Sequence, residues 1–310
     1  METLSRDHSF YLFDATLDCV LWADPGECFR VETYDARRGR LQKQDQLAST
    51  APNWAESRPK TNPCTGPVGI RGLVPGDTVR IAVHGIELEK RGFIIHKTSM
   101  GICKQMVDED VAVFATVDGD RITLECGIDI PVRPHIGTLG VAPAGQPVPT
   151  AFAGFHGGNM DCRFIEPGSC LYLPVFVEGA ALGVGDIHAS MGAGELMGTG
   201  VEICSTVTLS ATRMEDISVT GPVVRTGDTV MTVASADQLQ EALEKASTSM
   251  VDLLCRYGGF SKIAALSLLT TICDAGICQG FDESIFSVAS VSIPSSYLPV
   301  FTRLESGECI

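Results

Sequence analysis

Four times the chain uses the same short entry into an extended segment. DPGECFRVETYDA at 24–36, VPGDTVRIAVHGIE at 74–87 and EPGSCLYLPVFV at 166–177 carry Pro-Gly at their second and third positions, and RTGDTVMTVA at 225–234 carries Thr-Gly there. Proline presets the backbone of the first central turn residue, and glycine takes the positive φ that a type II turn requires at the next. Behind each turn runs a polar/apolar alternation, as in Cys28–Phe29–Arg30–Val31–Glu32. That two-residue period belongs to a half-buried strand. DVAVFAT at 110–116 and RITLE at 121–125 read the same way, with Asp118–Gly119 between them as a hairpin dipeptide, and VEICSTVTLS at 201–210 adds another strand. The first two thirds of the chain must therefore fold largely as β structure.

The period changes in the last third. In SADQLQEALEKASTSMVDLLCRY at 235–257, Ser235 and Gln238 form a capping-box pattern, and Leu239, Ala242, Leu243, Ala246, Met250 and Leu253 form a helical stripe. Gly258–Gly259 supplies a stop, Ser261 can cap a second helix over Ile263–Ile272, and a last strand is expected over Ser284–Ile293. The expected class is α+β, mostly β. Three stretches are expected, packed as one intertwined unit: an N-terminal β-rich part over 1–150, a central β part over 151–234, and a helical pair with returning strand over 235–310. The polar, turn-rich segment 37–65 reads as a long loop.

Composition removes several functions. The apolar share of 45% and charged share of 20% belong to a globular chain. Twenty-three basic against 38 acidic residues give a net charge of −15, which opposes binding to nucleic acid or an anionic membrane. No stretch reaches the roughly 18 apolar residues of a membrane span, and METLSRDHSFYLFD has no signal-peptide pattern, so a cytoplasmic protein is expected. The twelve cysteines form no C-x-x-C pair and read as buried reduced thiols used as small apolar residues.

The chemistry sits in two glycine-rich stretches, FHGGNMDC at 155–162 and GVGDIHASMGAGELMGTG at 183–200. His, Asp and Glu are the side chains that ligate metals and move protons. Asp186 and His188 are two residues apart and would share a face of an extended strand. With His156 and Asp161 they make two imidazoles and two carboxylates, a set for one zinc site, leaving Glu195 as acid/base. Spacing alone leaves the alternative open, because His-x₄-Asp and Asp-x-His pairs also occur as structural hydrogen bonds. GAGELMG imitates part of a dinucleotide fingerprint, but no βαβ pattern surrounds it.

These residues resemble the acetamidase/formamidase family. The matching text is NPCTGPVGI at 62–70, VPGDTV at 74–79, IGTLGVAPA at 136–144, HGGNMD at 156–161, LYLPVFVEGAALG at 171–183, GVGDIHA at 183–189 and GTGVE at 198–202, in order over about 24–290. The resemblance implies hydrolysis of short aliphatic amides to carboxylate and ammonia. It implies a β-sandwich or barrel body with a smaller α/β part, a homodimer and a bound divalent metal, expected to be zinc. The polar positions that match are His156, Asn159, Asp161, Asp186, His188, Glu195 and Glu202, with Asp35 matching an acidic position near the family's N-terminus. The expected mechanism has His156, Asp161, Asp186 and His188, or three of them, holding the metal. Glu195 moves the proton and Asn159 donates to the oxyanion.

The chain departs from the family where the second motif more often reads GDGE after a glutamine. Met191 and Ala193 stand there, which is expected to leave the pocket less polar and points to a larger amide, a lactam, or a non-catalytic small-molecule or metal-binding member. Cys162 is a rival nucleophile beside His156. His84 is expected at a strand edge, His96 on a surface loop, His135 in packing, and Trp22 and Trp54 in the core or an interface.

Overall fold

A computed structural model describes residues 1–53, 60–280 and 286–302. The four turn-and-strand units form as the sequence requires. Gly26, Gly76, Gly168 and Gly227 all take positive φ, at +80°, +96°, +90° and +50°. The strands behind them are Cys28–Thr33, Thr78–His96, Cys170–Pro174 and Thr229–Ala236. The Thr-Gly unit is a tight hairpin, because Thr226 at the end of Val223–Thr226 pairs with Thr229. The hairpin at 118–121 also forms, with Gly119 and Asp120 at its tip.

Leu12–Phe13 pairs with Val148–Pro149 in a separate two-stranded sheet, and the other described strands join into one large curled sheet, predominantly antiparallel. Its longest ladder pairs Thr78–His96 with Glu202–Met214. Thr78–His96 also pairs with Cys170–Pro174 and Val111–Asp118, and Glu202–Met214 also pairs with Cys28–Thr33, so strands from distant parts of the sequence share one sheet. Val31, Ile81, Leu139, Leu171, Ile187 and Val207 fill the main core beneath it.

The helices are Leu239–Arg256 and Lys262–Thr271. Ala246, Met250, Leu253 and Leu254 lie against Tyr172, Val230 and Ile293 of the sheet, and the Thr232 hydroxyl donates to the Ala246 carbonyl at 2.7 Å. Ser261 caps the second helix as expected, accepting from the Ala264 amide. The expected capping box at Ser235 does not form. Ser235 is still in the Thr229–Ala236 strand and its hydroxyl donates to the Ala153 carbonyl, so the helix starts after Gln238. The final strand is Ser287–Pro294.

The 37–65 segment is not a plain loop. It contains a short helix, Leu47–Thr50, ends in the strand Cys64–Ile70, and buries Arg37, Leu41, Leu47, Thr50 and Thr61. The expected position of Trp54 lies outside the described residues.

Candidate active site

Strand register builds the site. Leu182–His188 pairs antiparallel with His135–Val141, setting His135 opposite His188, and His188 in turn lies opposite Glu202 at the start of Glu202–Met214. One row across three strands thus carries two imidazoles and a carboxylate. His135–Val141 also pairs with Gly157–Asn159, setting Thr138 opposite Asn159. From outside the sheet, Asn62 donates to Asp186 Oδ2 at 2.7 Å.

Local backbone turns bring in the acids. Asn62, Asp161, Asp186 and Glu195 all have left-handed φ, at +49°, +44°, +55° and +47°. That conformation is uncommon for residues with a Cβ and persists where the surroundings enforce it, often at functional sites. Asp186 therefore joins His188 through a kink and not through the alternation of a regular strand. Gly137 makes room for both acids: a Cβ there would lie 2.5 Å from Asp161 Oδ1 and 2.7 Å from the Asp186 carbonyl oxygen.

Asp161, Asp186, Glu195 and Glu202 surround His188, and all five are buried. From His188 Nε2 the distances are 3.1 Å to Glu202 Oε1, 3.9 Å to Asp186 Oδ1 and 4.0 Å to Glu195 Oε1. Asp161 Oδ1 is 3.9 Å from His188 Nδ1. Gln279 spans two of the acids, donating to Asp161 Oδ2 at 2.6 Å and to Glu195 Oε2 at 3.3 Å.

The proton positions follow from the partners. His135 Nδ1 faces the Arg133 carbonyl at 3.3 Å, which only accepts, so that nitrogen carries the proton. His135 Nε2 is then an acceptor and takes the His188 Nδ1 proton at 3.2 Å. The neutral tautomer of His188 that matches this bond presents its Nε2 lone pair to the carboxylates, as a metal ligand needs. Burial, with the neighbouring His188, pushes the His135 pKa down to about 3 and keeps it neutral.

Burial pushes every acid up. Asp186 rises to about 8, with Glu202 adding to the effect, and Glu202 rises to about 8, with Glu195 adding to it. Glu195 rises to about 7 through burial, offset in part by His188. Asp161 is held well above its usual range by burial and by Glu195.

Among the described residues, three oxygens in this cluster have no hydrogen-bond partner: Asp161 Oδ1, Asp186 Oδ1 and Glu202 Oε2. Buried acceptors of this kind cost free energy unless something satisfies them. A divalent cation satisfies carboxylate oxygens and an imidazole lone pair together. Asp161, Asp186 and His188 form one set whose ligand atoms lie within 4.8 Å of one another, and His188, Glu195 and Glu202 form a second. The donor set fits a metal.

The cavity beside the cluster is small. Its volume is ≈ 60 Å³. Asn159, Asp161, Asp186, Glu195, Glu202 and Gln279 form its polar side, while Phe93, Ile95, Met100 and Ala151 form an apolar side.

Of the expected metal ligands, the structure brings together Asp161, Asp186 and His188 and leaves out His156. The His156 ring is buried against Phe13, 5.1 Å between centroids, and among the described residues neither ring nitrogen has a hydrogen-bond partner. Gly157 and Gly158 both take positive φ, at +87° and +83°, and carry the chain from the aromatic pocket of His156 to the cluster at Asn159 and Asp161. Asn159 is on the cavity wall. Its Oδ1 accepts the Thr138 hydroxyl at 2.6 Å, which leaves its amide nitrogen free to donate.

Glu202 is fully in the cluster. Asp35 is not: it accepts from the Arg37 and Gly39 amides at 2.8 and 2.9 Å and holds the turn that presents Arg37 to the cavity. Met191 and Ala193 line a neighbouring groove, so they do not make the ≈ 60 Å³ cavity less polar.

Cys162 is buried away from the cavity, with its thiol 3.8 Å from Met231 Sδ and its pKa pushed well up by a hydrogen bond with the Cys278 thiol and by burial. That environment opposes the thiolate a nucleophile needs. Cys64, Cys170, Cys204 and Cys278 are likewise buried free thiols, whereas Cys103 and Cys126 are exposed. His84 contacts Ser210 Oγ at 2.8 Å, and His96 ends the Thr78–His96 strand instead of lying in a loop. Trp22 covers Gly69 and Gly179 while remaining 39% exposed.

Sequence reasoning missed Gln279, Arg37 and Lys97 and placed His135 in packing. Asn62 and Thr138 had a signal in their places in NPCTGPVGI and IGTLGVAPA, though neither was singled out.

The Acetamidase/Formamidase family model matches residues 7–151 and 148–297. The crystal structure of a recombinant predicted acetamidase/formamidase from Thermoanaerobacter tengcongensis is 30% identical with TM-score 0.89, covering 98% of this chain and 99% of that one. Acetamidase from Bacillus halodurans is also 30% identical, with TM-score 0.90 and coverage of 96% and 98%. A Schizosaccharomyces pombe relative with a provisional formamidase name is 26% identical over 248 residues, 60% of this chain; the chain spans 59% of that relative's length.

Proposed function

The chain belongs to the acetamidase/formamidase family, and from that premise we propose that it hydrolyses the C–N bond of short aliphatic amides to a carboxylate and ammonia. The observation that carries the reading is the set of orphaned carboxylate oxygens around the His188 lone pair, opening on a cavity of ≈ 60 Å³. A small cavity favours short amides over the larger amide or lactam that Met191 and Ala193 first pointed to.

Asp161, Asp186 and His188 would hold a divalent ion, with zinc the reading from the family. When bound there, such an ion polarises a carbonyl and lowers the pKa of water. His135, which accepts the His188 Nδ1 proton, orients the imidazole from behind, and Glu202 faces the Nε2 side at 3.1 Å. Glu195 is the proton carrier. Its pKa of about 7 lets it take a proton from the attacking water and pass it to the leaving amine near neutral pH. Asn159 donates its amide N–H to the developing oxyanion, fixed in that orientation by Thr138. Gln279 holds Asp161 and Glu195 at a set separation.

Ammonia release from acetamide by Glu195→Gln tests the assignment. A positioned general base contributes about 10²–10⁴-fold, so turnover should fall by that factor with the fold intact. Turnover within about threefold of the parent would remove Glu195 from the role.

A further inference from the structure

Two cations face the same cavity. Arg37 is only 7% exposed, and Lys97 is half-buried; both line the wall with the apolar Phe93, Ile95 and Met100. Burying a guanidinium is costly unless its donors are used. Those of Arg37 are largely unused. Its Nη1 reaches the Thr50 carbonyl at 3.5 Å, and among the described residues its Nε has no partner.

Among the described residues, neither cation has a carboxylate within the 4.0 Å of an ion pair. The acids that influence Arg37, Glu202 and Asp35, act from further away. Asp110, which influences Lys97, is taken up by the Thr98 amide and hydroxyl, at 2.9 and 3.0 Å. Like charge crowds them as well. Burial, then Arg37, lowers the Lys97 pKa, and Arg40 acts on Arg37 in the same sense. The balance of the carboxyl cluster therefore does not account for two cations with free donors at one cavity.

We propose that Arg37 and Lys97 form an anion subsite, and that the preferred substrates are short primary amides carrying a carboxylate, the monoamides of small dicarboxylic acids. This rests on the amidase reading of the cavity. A guanidinium and an ammonium on one wall match a planar carboxylate. The small cavity favours a short chain between amide and carboxylate.

The test compares kcat/KM for malonamate and for 3-methylbutyramide, its neutral isostere, in the parent protein, Lys97→Met and Lys97→Arg. A hydrogen bond to a charged group sets the expected size. The parent should favour malonamate about ten- to hundredfold, Lys97→Met should lose most of that ratio, and Lys97→Arg should keep it. A second readout is calorimetric binding of malonamate to Glu195→Gln, with and without Lys97→Met. If no amide is hydrolysed yet malonamate binds with at least tenfold dependence on Lys97, the subsite stands and the amidase reading falls. If both amides are hydrolysed equally well, or Lys97→Met leaves the ratio unmoved, the subsite falls and the amidase reading stands. Absence of both turnover and binding overturns both.

Discussion

Replacing Gly137 by alanine adds one carbon at the tightest point of the site. The new Cβ would lie 2.5 Å from Asp161 Oδ1, 2.7 Å from the Asp186 carbonyl oxygen and 3.2 Å from Asp186 Oδ2. One of these neighbours is backbone, held in a strand that pairs with His135–Val141 over most of its length. Relief must come from displacing Asp161 or prying the two strands apart. Overpacking of this kind costs about 1–3 kcal/mol. For a chain this long that lowers Tm by roughly 2–10 °C. The loss of activity should be larger, because a misplacement of about 1 Å in a catalytic group can cost 10²-fold. Thermal denaturation and ammonia release from acetamide measure the two effects. Gly85→Ala is the control, since nothing lies within 4 Å of its Cβ and its φ is ordinary. It should leave both properties near the parent values. Turnover of Gly137→Ala within about threefold of the parent, with Tm unchanged, would refute the geometry that places Asp161 and Asp186 at the reacting centre.

Two further outcomes follow from the buried charges. Metal-free protein should lose stability as pH rises from 6.5 to 8. The folded state keeps protons on Asp186 and Glu202, with pKa values of about 8, while the unfolded chain has already released them; each retained proton is worth about 1.4 kcal/mol per pH unit. Tm measured across that range with chelator present should fall, and a flat or rising curve would contradict the burial of these acids. His135→Phe removes the acceptor that fixes the His188 tautomer, and metal affinity by competition titration should weaken about 10–100-fold. Unchanged affinity would mean that the tautomer is set elsewhere.

The parts of this protein visible in the sequence are those encoded locally. Pro-Gly followed by alternation specifies a turn and a strand within ten residues, and the Gly26, Gly76 and Gly168 turns form accordingly. Ser261 shows its cap because the donor, the Ala264 amide, is three residues away. Ser235 has the same local pattern, but extension of the strand through Ala236 overrides it. The acids of HGGNMD and GDIHA were legible because glycine-rich turns around ionisable residues are unusual in a core. Where their side chains point was not. Gly157 and Gly158 turn the chain between His156 and Asp161, separating two residues that spacing had joined. Gln279 and His135 could not be found from spacing at all. Gln279 is 118 residues from Asp161, and His135 meets His188 through register across a ladder. Arg37 and Lys97 were hidden for the same reason, since they share a wall only after folding.

The central claim is that Asp161, Asp186 and His188 form a metal centre serving amide hydrolysis with Glu195 as the proton carrier. Its most direct test is ammonia release from formamide and acetamide by the purified protein, before and after chelation and after zinc is restored, with metal content measured at each stage. The account predicts activity that disappears as the metal is removed and returns as it is restored. Full activity in protein shown by elemental analysis to be metal-free would contradict it.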